Sequence, residues 1–148
     1  MIGQNDSERT NFYARGFSIN NFQIDGMPRG PHAPLQDTYL WDRVEVVRGA
    51  TGLMGGTGDP SATINMVRKR PTKTFQGNAA VRLGRWNDRR VEADLSTPIT
   101  ADGRVRGRVV LAHQDRESYM DRYQEKKTLG MAIVEADLTR NTLLTAGV

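Results

Sequence analysis

The chain has 148 residues and a mass of 16.5 kDa, with 26% charged residues, no cysteine and a mean hydropathy of -0.59. This length corresponds to about one domain. The absence of cysteine excludes a disulfide framework, a thiolate zinc site and a cysteine nucleophile. No apolar run approaches the roughly 18 residues of a membrane-spanning helix. Residues 1–9 include acidic side chains and no apolar segment, so no secretion signal is recognisable in them.

The basic balance of the chain raises the question of nucleic-acid binding, which requires positive charge gathered on one face or tail. Residues 1–73 hold 9 basic and 7 acidic side chains and residues 74–148 hold 12 and 10, so each half carries a net charge of +2. The arginines at 104, 106 and 108 alternate with other residues, as on the polar face of a strand. The sequence therefore predicts no nucleic-acid partner.

The first elements of the chain are short strands and turns. Residues 12–18 and 22–25 are predicted to form a hairpin around a turn at 19–21, because asparagine tolerates the left-handed conformation. Residues 27–34 contain three prolines, which predict an irregular exposed loop that is neither helix nor central strand.

A short helix and two strands follow. Asp37 is placed to cap one or two helical turns that run through Trp41. The β-branched stretches 44–47 and 63–67 predict strands, the second of which Pro71 terminates.

The second half of the chain alternates between apolar and polar residues. From residue 89 the odd positions are apolar and the even ones polar, and a similar alternation predicts strands at 77–85 and from 104 onwards. In the strand predicted at 128–138 the apolar residues change phase, so its outward face stays open. Residues 142–148 resemble the beginning of a further strand.

Connections between these strands differ in length. The turns at 101–103 and 139–141 are short, whereas the polar residues 115–126 predict a long loop. Long strands with short turns at one end and longer loops at the other are typical of an outer-membrane β-barrel. Half-buried strands of a soluble β-sandwich show the same alternation, and periodicity alone favours the sandwich.

The glycine cluster at 49–58 and the rest of the chain contain no catalytic motif. A phosphate-binding loop requires a lysine followed by serine or threonine after its last glycine, and here Asp59-Pro60 follows instead. Two histidines without cysteines offer no metal site, and His113 is expected at an interface rather than as a ligand. We therefore predict no catalytic residue, no metal ligand and no enzymatic activity.

Three blocks of the first half resemble the plug domain of TonB-dependent siderophore receptors. The first joins Ala-Arg-Gly-Phe at 14–17 to Asn-Phe-Gln-Ile-Asp-Gly-Met-Pro at 21–28. The second is Trp-Asp-Arg-Val-Glu-Val-Val-Arg-Gly at 41–49, and the third runs from Gly55 to Pro71. The alternating residues that follow resemble the opening barrel strands of this family.

This resemblance implies a mainly β fold in two parts. Residues 1–72 are expected to form a partial plug domain, a small mixed sheet with short helices. Residues 73–148 are expected to supply about four to five antiparallel strands of an incomplete transmembrane β-barrel. Because such a barrel has about 22 strands, the length predicts a fragment that is not transport-competent alone.

The resemblance also implies a function, which is the binding and uptake of ferric siderophores at the outer membrane. The siderophore carries the iron, so no protein-held cofactor is expected. The implied partners are the ferric siderophore, outer-membrane lipid and TonB, although nothing like the segment that TonB grasps appears before residue 12. The alternative is a soluble, truncated or orphan β-rich binding module without a transport role.

Site residues follow from the same resemblance. Arg15 and Arg48 occupy positions at which the family has arginines that pair with glutamates of the barrel wall. The upper plug loops meet the siderophore in this family, and the residues here at those positions are Ser18, Asn20, Asn21, Arg29, Gly30 and His32.

Overall fold

The computed structural model describes residues 2–4, 10–30, 37–49, 61–117 and 123–148, with only the backbone of residues 2–4, 10 and 30. The chain divides into two compact units, residues 1–69 and 70–148. Nearly all of the described residues lie in strands or in the turns that join them. Among them, no helix has the length or the apolar character needed to cross a membrane.

Two small sheets make up the first unit. One has the order β1-β2-β3 and is antiparallel, and the other has the order β5-β4-β7-β6. In the second sheet β4 and β7 are parallel and the other pairs are antiparallel, which confirms the predicted small mixed sheet. The strands are β1 (Ile2–Gln4), β2 (Thr10–Ala14), β3 (Phe17–Ser18), β4 (Asn21–Ile24), β5 (Met27–Gly30), β6 (Trp41–Arg48) and β7 (Ala62–Arg68).

The predicted hairpin around residues 19–21 is wrong. Two hairpins form instead, with turns at Arg15-Gly16 and Asp25-Gly26, and all four residues have φ between 50° and 83°. Left-handed conformations at both turn residues suit the twist of the flanking strands. Ile19 is buried in one apolar cluster with Phe22, so hydrophobic burial removes it from a solvent-exposed turn.

The predicted irregular loop at 27–34 is also wrong for its first residues. Met27–Gly30 form β5, an edge strand that pairs with β4 through a register shift at Phe22/Gln23. An edge position accommodates Pro28, which has no N–H to donate to a neighbouring strand. Residues 31–36, which include His32, lie outside the described residues, as does the glycine cluster from residue 50 onwards.

The short helix predicted after Asp37 is confirmed as a single 3-10 turn, Thr38–Leu40. The Asp37 carboxylate accepts a hydrogen bond of 3.0 Å from the backbone N–H of Tyr39, as an N-cap does. Trp41 does not continue the helix but begins β6.

The second unit is one antiparallel sheet in the order β12-β11-β10-β9-β8, so each strand pairs with its neighbour in sequence. Its strands are β8 (Gln76–Leu83), β9 (Arg89–Pro98), β10 (Val105–Glu117), β11 (Gln124–Thr139) and β12 (Thr142–Gly147). All five predicted strands are confirmed, including the last one. The sheet is open, with β8 and β12 at its edges.

The long loop predicted at 115–126 is shorter than expected. β10 and β11 stay paired to their ends, with Asp115 opposite Lys126 and Glu117 opposite Gln124. Ion pairs join Arg116 to Glu125 and Lys126 to Asp115 across the two strands. Opposite charges on facing strands stabilise the pairing, so polar composition here continues the strands rather than ending them.

The two faces of this sheet have inverted polarity. On β9 the apolar Val91 and Leu95 are exposed, whereas Arg90, Glu92 and Asp94 between them are buried. β10 follows the pattern in part, with Leu111 exposed and Arg106 buried, although Val110 and Ala112 are buried on the same face as Arg106. The apolar face is therefore the outer one, and the charged face is concealed.

The phase change predicted for β11 has a simple structural outcome. Met131, Ile133 and Glu135 share the concealed face, whereas Val134 and Leu138 are exposed. β11 pairs with β10 without any register shift, and its one irregularity, between Asp137 and Thr139, faces β12. The concealed face thus changes from apolar to acidic along a regular strand.

Candidate functional site

The structure brings several of the predicted ligand residues to one end of the mixed sheet. Asn21 is the first residue of β4, and Gly30, the last residue of β5, lies opposite Phe22. Arg29 precedes Gly30 on the same strand and is exposed. Ser18 and Asn20 lie in the chain immediately before β4 and are also exposed.

Arg48 lies at the same end of this sheet. It ends β6 opposite Ala62, and Asn21 of β4 lies beside Thr63 because β4 and β7 are parallel. The parallel pair therefore places Arg48 and the predicted ligand residues at the same end of the sheet. Arg15 lies apart from them, at the tip of the β2–β3 hairpin.

Both predicted ion-pairing arginines are exposed. No carboxylate of the described residues lies within ion-pair distance of Arg15 or Arg48. Arg15 adopts a φ of 54°, a left-handed conformation that disfavours residues with a Cβ. Arg15 is therefore held at the hairpin tip at some cost in backbone energy.

The opposite end of the mixed sheet is fixed by polar contacts to the β4–β5 turn. The Asp25 carboxylate accepts hydrogen bonds from the backbone N–H of Arg68 (3.0 Å) and from its Nε (2.6 Å). The backbone N–H of Gly26 donates to Oδ1 of Asn65 at 3.0 Å. Two side chains thus attach the turn to the end of β7.

Glu45 extends this attachment to β6. Asn65 Nδ2 donates to Oε2 of Glu45 at 2.9 Å, and Arg43 Nε donates to Oε1 at 2.8 Å. The Asn65 hydrogen bond, followed by that of Arg43, lowers the pKa of Glu45. Hydrogen bonds to Glu45 and Asp42 raise the pKa of Arg43 in turn. Glu45 is therefore an ionised link between strands.

Charged side chains on the concealed face of the second unit form pairs across its strands. Arg82 and Arg90 lie directly opposite each other on β8 and β9. Like charges in that position repel, but Glu92 accepts from Arg82 Nη2 at 2.8 Å and from Arg90 Nε at 2.6 Å. Arg90 also donates to Gln114, which donates to Asp88. The carboxylate between the two arginines reduces their repulsion.

Two further pairs lie nearer the short turns. Arg108 donates to Asp94 through Nε and Nη2, each at 2.8 Å. Arg106 lies between Glu135, 2.8 Å from Nη2, and Asp137, 2.9 Å from Nη1. Bidentate geometry of this kind suits the planar guanidinium and resists exchange. The concealed face is thus charged but paired.

Sequence reasoning found the charged face and missed its pairs. Alternation places Arg106 and Arg108 on one face, but their partners lie 29 and 14 residues away. For Arg106 the available signal was the opposite charge of Glu135 at the facing position of the next strand. Arg108 faces Ser96 and pairs diagonally with Asp94, so no facing position indicated its partner.

The described residues provide no group of three or more His, Cys, Asp or Glu side chains that could hold a metal ion. His113 lies on the exposed apolar face of β10, and its Nδ1 is 2.8 Å from Thr128 Oγ1. Among the described residues, its polar side-chain contact is to a hydroxyl on β11 rather than to other metal-ligating groups.

Comparisons with known proteins identify the family. Residues 1–63 match the TonB-dependent Receptor Plug Domain. The chain is 49% identical, over 96% of its length, to the ferripyoverdine receptor of Pseudomonas aeruginosa, and 45% identical, over 99%, to the ferric-pyoverdine 358 receptor of Pseudomonas putida. The chain belongs to the TonB-dependent siderophore receptors. The family resemblance read from the three sequence blocks is thereby confirmed.

The fold of this receptor chain agrees with that of a solved relative. It superposes on the pyoverdine outer membrane receptor FpvA of P. aeruginosa with a TM-score of 0.91 and 46% identity, over 99% of this chain and 22% of that one. The chain covers 18% and 19% of the two curated relatives, so it spans about a fifth of their length. The mixed sheet corresponds to part of the plug, and the open sheet to the first strands of the barrel.

Proposed function

We propose that this chain supplies residues of the plug and the first barrel strands to an outer-membrane receptor that takes up ferric siderophores of the pyoverdine class. The observation that carries this proposal is the inverted polarity of the five-stranded sheet. A soluble sandwich buries its apolar faces, whereas here Val91, Leu95 and Leu111 point outward and the ion pairs are concealed. Lipid outside and a polar lumen inside account for both faces.

The two segments predicted from the sequence have different roles in this proposal. Residues 1–72 form the plug segment and residues 73–148 the start of the wall. The relatives are named as receptors for ferric pyoverdines, so the role proposed here is recognition and transport rather than catalysis. TonB is the proposed source of mechanical work, and the outer membrane the proposed location.

Arg15 and Arg48 are the proposed attachment points of the plug. Both guanidiniums are exposed at the ends of short strands, where a carboxylate of a barrel wall can reach them. Arginine binds carboxylates through two parallel hydrogen bonds. Hydrated polar contacts of this kind can exchange partners when the plug is pulled, which a dry apolar interface resists.

The proposed ligand contacts are at the end of the mixed sheet where β4 begins. Asn20 and Asn21 offer amide groups there, and Arg29 and His32 offer positive charge for an anionic iron chelate. The siderophore supplies its own iron ligands, so the protein needs to recognise only the outside of the chelate. Ser18 and Gly30 complete the proposed contact set.

A chimeric receptor tests the function. Residues 1–148 would replace the matching stretch of the P. aeruginosa ferripyoverdine receptor in a strain that lacks that receptor. We expect the chimera in the outer membrane as a heat-modifiable barrel, with uptake of ⁵⁵Fe-labelled ferripyoverdine that stops when TonB is deleted. Normal insertion without binding or uptake would refute the proposal.

A second measurement distinguishes the proposed receptor segment from the alternative, a soluble β-rich binding module. Residues 1–148 alone, exported with a signal peptide, would be recovered either in the periplasm or with the membrane. We expect no monodisperse soluble protein, because the outward face of the sheet is apolar. A folded soluble monomer would favour the orphan binding module.

A further inference from the structure

Residues 70–73, which precede β8, lie across the concealed face of the sheet. The backbone N–H of Thr72 donates to Oγ of Ser96 on β9 at 2.8 Å, and the two hydroxyls are 2.9 Å apart. Nη1 of Arg108 on β10 donates to the backbone carbonyl of Arg70 at 2.8 Å. The segment therefore contacts two adjacent strands through its own backbone.

A third strand holds the same segment by charge. Arg70 Nη1 lies 3.5 Å from Oε1 of Glu135, and Lys73 Nζ lies 4.0 Å from Oδ2 of Asp137, both on β11. Glu135 is almost completely buried and also binds Arg106. Contacts within the sheet therefore hold Glu135 and Asp137 in place independently of the segment.

Burial distinguishes this contact from an ordinary surface turn. Ser96 has no exposed area and Pro71 is buried. Both oxygens of Asp94 hold Arg108 through Nε and Nη2, and Nη1 donates to the Arg70 carbonyl. Ser96 Oγ also lies 3.4 Å from the Gly107 carbonyl, a longer contact than its two with Thr72. Because lost hydrogen bonds of buried groups are costly, these contacts favour the bound position of the segment.

These contacts lie at the point where the backbone joins residues 1–69 to the sheet, so they bear any force that the backbone transmits. Without contacts at 70–73, a pull that arrives along the backbone at residue 70 would act first on β8, the strand that follows the segment. With them, the load is shared by β9, β10 and β11 at the same time.

We propose that residues 70–73 form a clasp that stays closed while the plug rearranges, so that force on the plug is shared by β9, β10 and β11 and does not act on β8 alone. All of the contacts that define the clasp lie within the second unit. Its mechanical role rests on the proposed function, because that function supplies the pull.

A disulfide across the clasp tests it. The 148 residues contain no cysteine, so Thr72→Cys with Ser96→Cys adds one thiol pair to the chimeric receptor, in which any host cysteines are replaced by serine. We expect the disulfide to form in air, identified by mass spectrometry of linked tryptic peptides. We also expect ferripyoverdine uptake within about twofold of the unmodified chimera, with and without reductant.

Two outcomes overturn the proposal. If no disulfide forms, residue 72 does not lie against β9. If the disulfide forms and abolishes uptake until a reductant restores it, the clasp has to open during transport. The matched control pairs Thr72→Cys with Thr97→Cys, one residue further along β9 and on its other face, and we expect no disulfide there.

Failure of the proposed function is distinguishable from failure of the clasp. A chimera that takes up no iron even without the cysteines contradicts the function. The yield of the 72–96 disulfide, compared with that of the 72–97 pair in the same membranes, then decides whether the clasp exists.

Discussion

Arg108 of β10 and Asp94 of β9 are diagonal neighbours, with Arg108 opposite Ser96, and they share two parallel hydrogen bonds of 2.8 Å on the concealed face of the sheet. Both side chains are largely buried, at 14% and 10% exposure. Arg108→Ala should lower the free energy of unfolding of the chimeric receptor by about 3 kcal/mol, because it leaves the Asp94 carboxylate buried without its partner. Guanidinium-induced unfolding in detergent measures the change.

Two variants test whether pairing, rather than the loss of a large side chain, is responsible. Arg108→Ala with Asp94→Ala should cost less than the sum of the single changes, because the two residues are coupled. Lys126→Ala removes one partner of an exposed pair with Asp115, 3.3 Å long, and should cost less than about 1 kcal/mol. Equal losses at both pairs would contradict the assignment.

The Glu45 carboxyl should titrate below its usual range. Its pKa is lowered in the folded chain, chiefly by the Asn65 hydrogen bond and then by Arg43. The ionised form therefore favours folding at pH values above the unfolded pKa, and this contribution is lost as the pH falls through the folded pKa. A ¹³C NMR titration of the Glu45 carboxyl carbon measures the value.

Substitutions at the two donors separate their effects on Glu45. Asn65→Ala should raise the pKa of Glu45 more than Arg43→Ala does, because the amide hydrogen bond is the larger cause. The opposite order, or a Glu45 pKa that neither change moves, would show that the link between β6 and β7 is not made in solution.

Local patterns predicted the strands of the second unit and its short turns at 101–103 and 139–141, but not the turns of the first unit. Alternation with a period of two is a property of neighbouring residues, so β8 to β12 were found from sequence. The Arg15-Gly16 turn was missed because arginine rarely adopts a positive φ. The extent of β10 and β11 was missed because cross-strand charge pairs, rather than apolar residues, continue them.

The candidate site depends on contacts that no local pattern contains. Asn21 and Arg48 lie at the same end of the mixed sheet because β4 pairs in parallel with β7, which begins at Ala62. Parallel pairing joins distant segments, and its register is set by tertiary burial of residues such as Ile64. Alternation of apolar and polar residues also could not decide which face is concealed, because strands of a sandwich and strands of a barrel show the same alternation.

Arg15 offers a test of the plug attachment that is separate from folding. Arg15→Asn places a residue that tolerates the left-handed conformation at φ 54°, so the β2–β3 hairpin should be as stable as before or more stable by up to about 1 kcal/mol. Uptake by the chimera should nevertheless fall at least tenfold, because the guanidinium is lost. Thermal unfolding and ⁵⁵Fe uptake measure the two effects.

A lysine at the same position is the control for charge. Arg15→Lys keeps the positive charge and loses the bidentate fork, so we expect uptake between that of the asparagine variant and the unmodified chimera. Full uptake in Arg15→Asn would show that Arg15 attaches nothing.

Arg29 and His32 are predicted to contact the siderophore. Removing a charged hydrogen-bond donor costs about 1.5 kcal/mol or more, so Arg29→Ala should weaken ferripyoverdine binding to the chimera about tenfold. His32→Ala should weaken it in the same direction. Binding of ⁵⁵Fe-labelled ferripyoverdine to cells at 0 °C, where transport is arrested, measures the Kd.

Arg43 is the matched control for Arg29. It is also an exposed arginine of the mixed sheet, but it lies opposite Val67, near the other end of β7. Arg43→Ala should leave the Kd unchanged. If the Kd is unaffected by both Arg29→Ala and His32→Ala, residues 29–33 do not belong to the ligand site.

The outward face of the sheet makes a prediction that depends on depth in the membrane. Leu111 lies in the middle of β10 between Ala93 and Gly130, whereas Glu117 is the last residue of the strand, opposite Gln124. A charge on the lipid-facing side of a barrel costs about 2–4 kcal/mol at the bilayer midplane and about 0–1 near its borders. Leu111→Arg should therefore reduce the heat-modifiable chimera in the outer membrane severely, and Glu117→Arg only slightly. Both side chains are exposed, so a protein whose outer face meets water would tolerate both arginines equally. Equal yields of the two variants in purified outer membranes would mean that this face does not meet lipid.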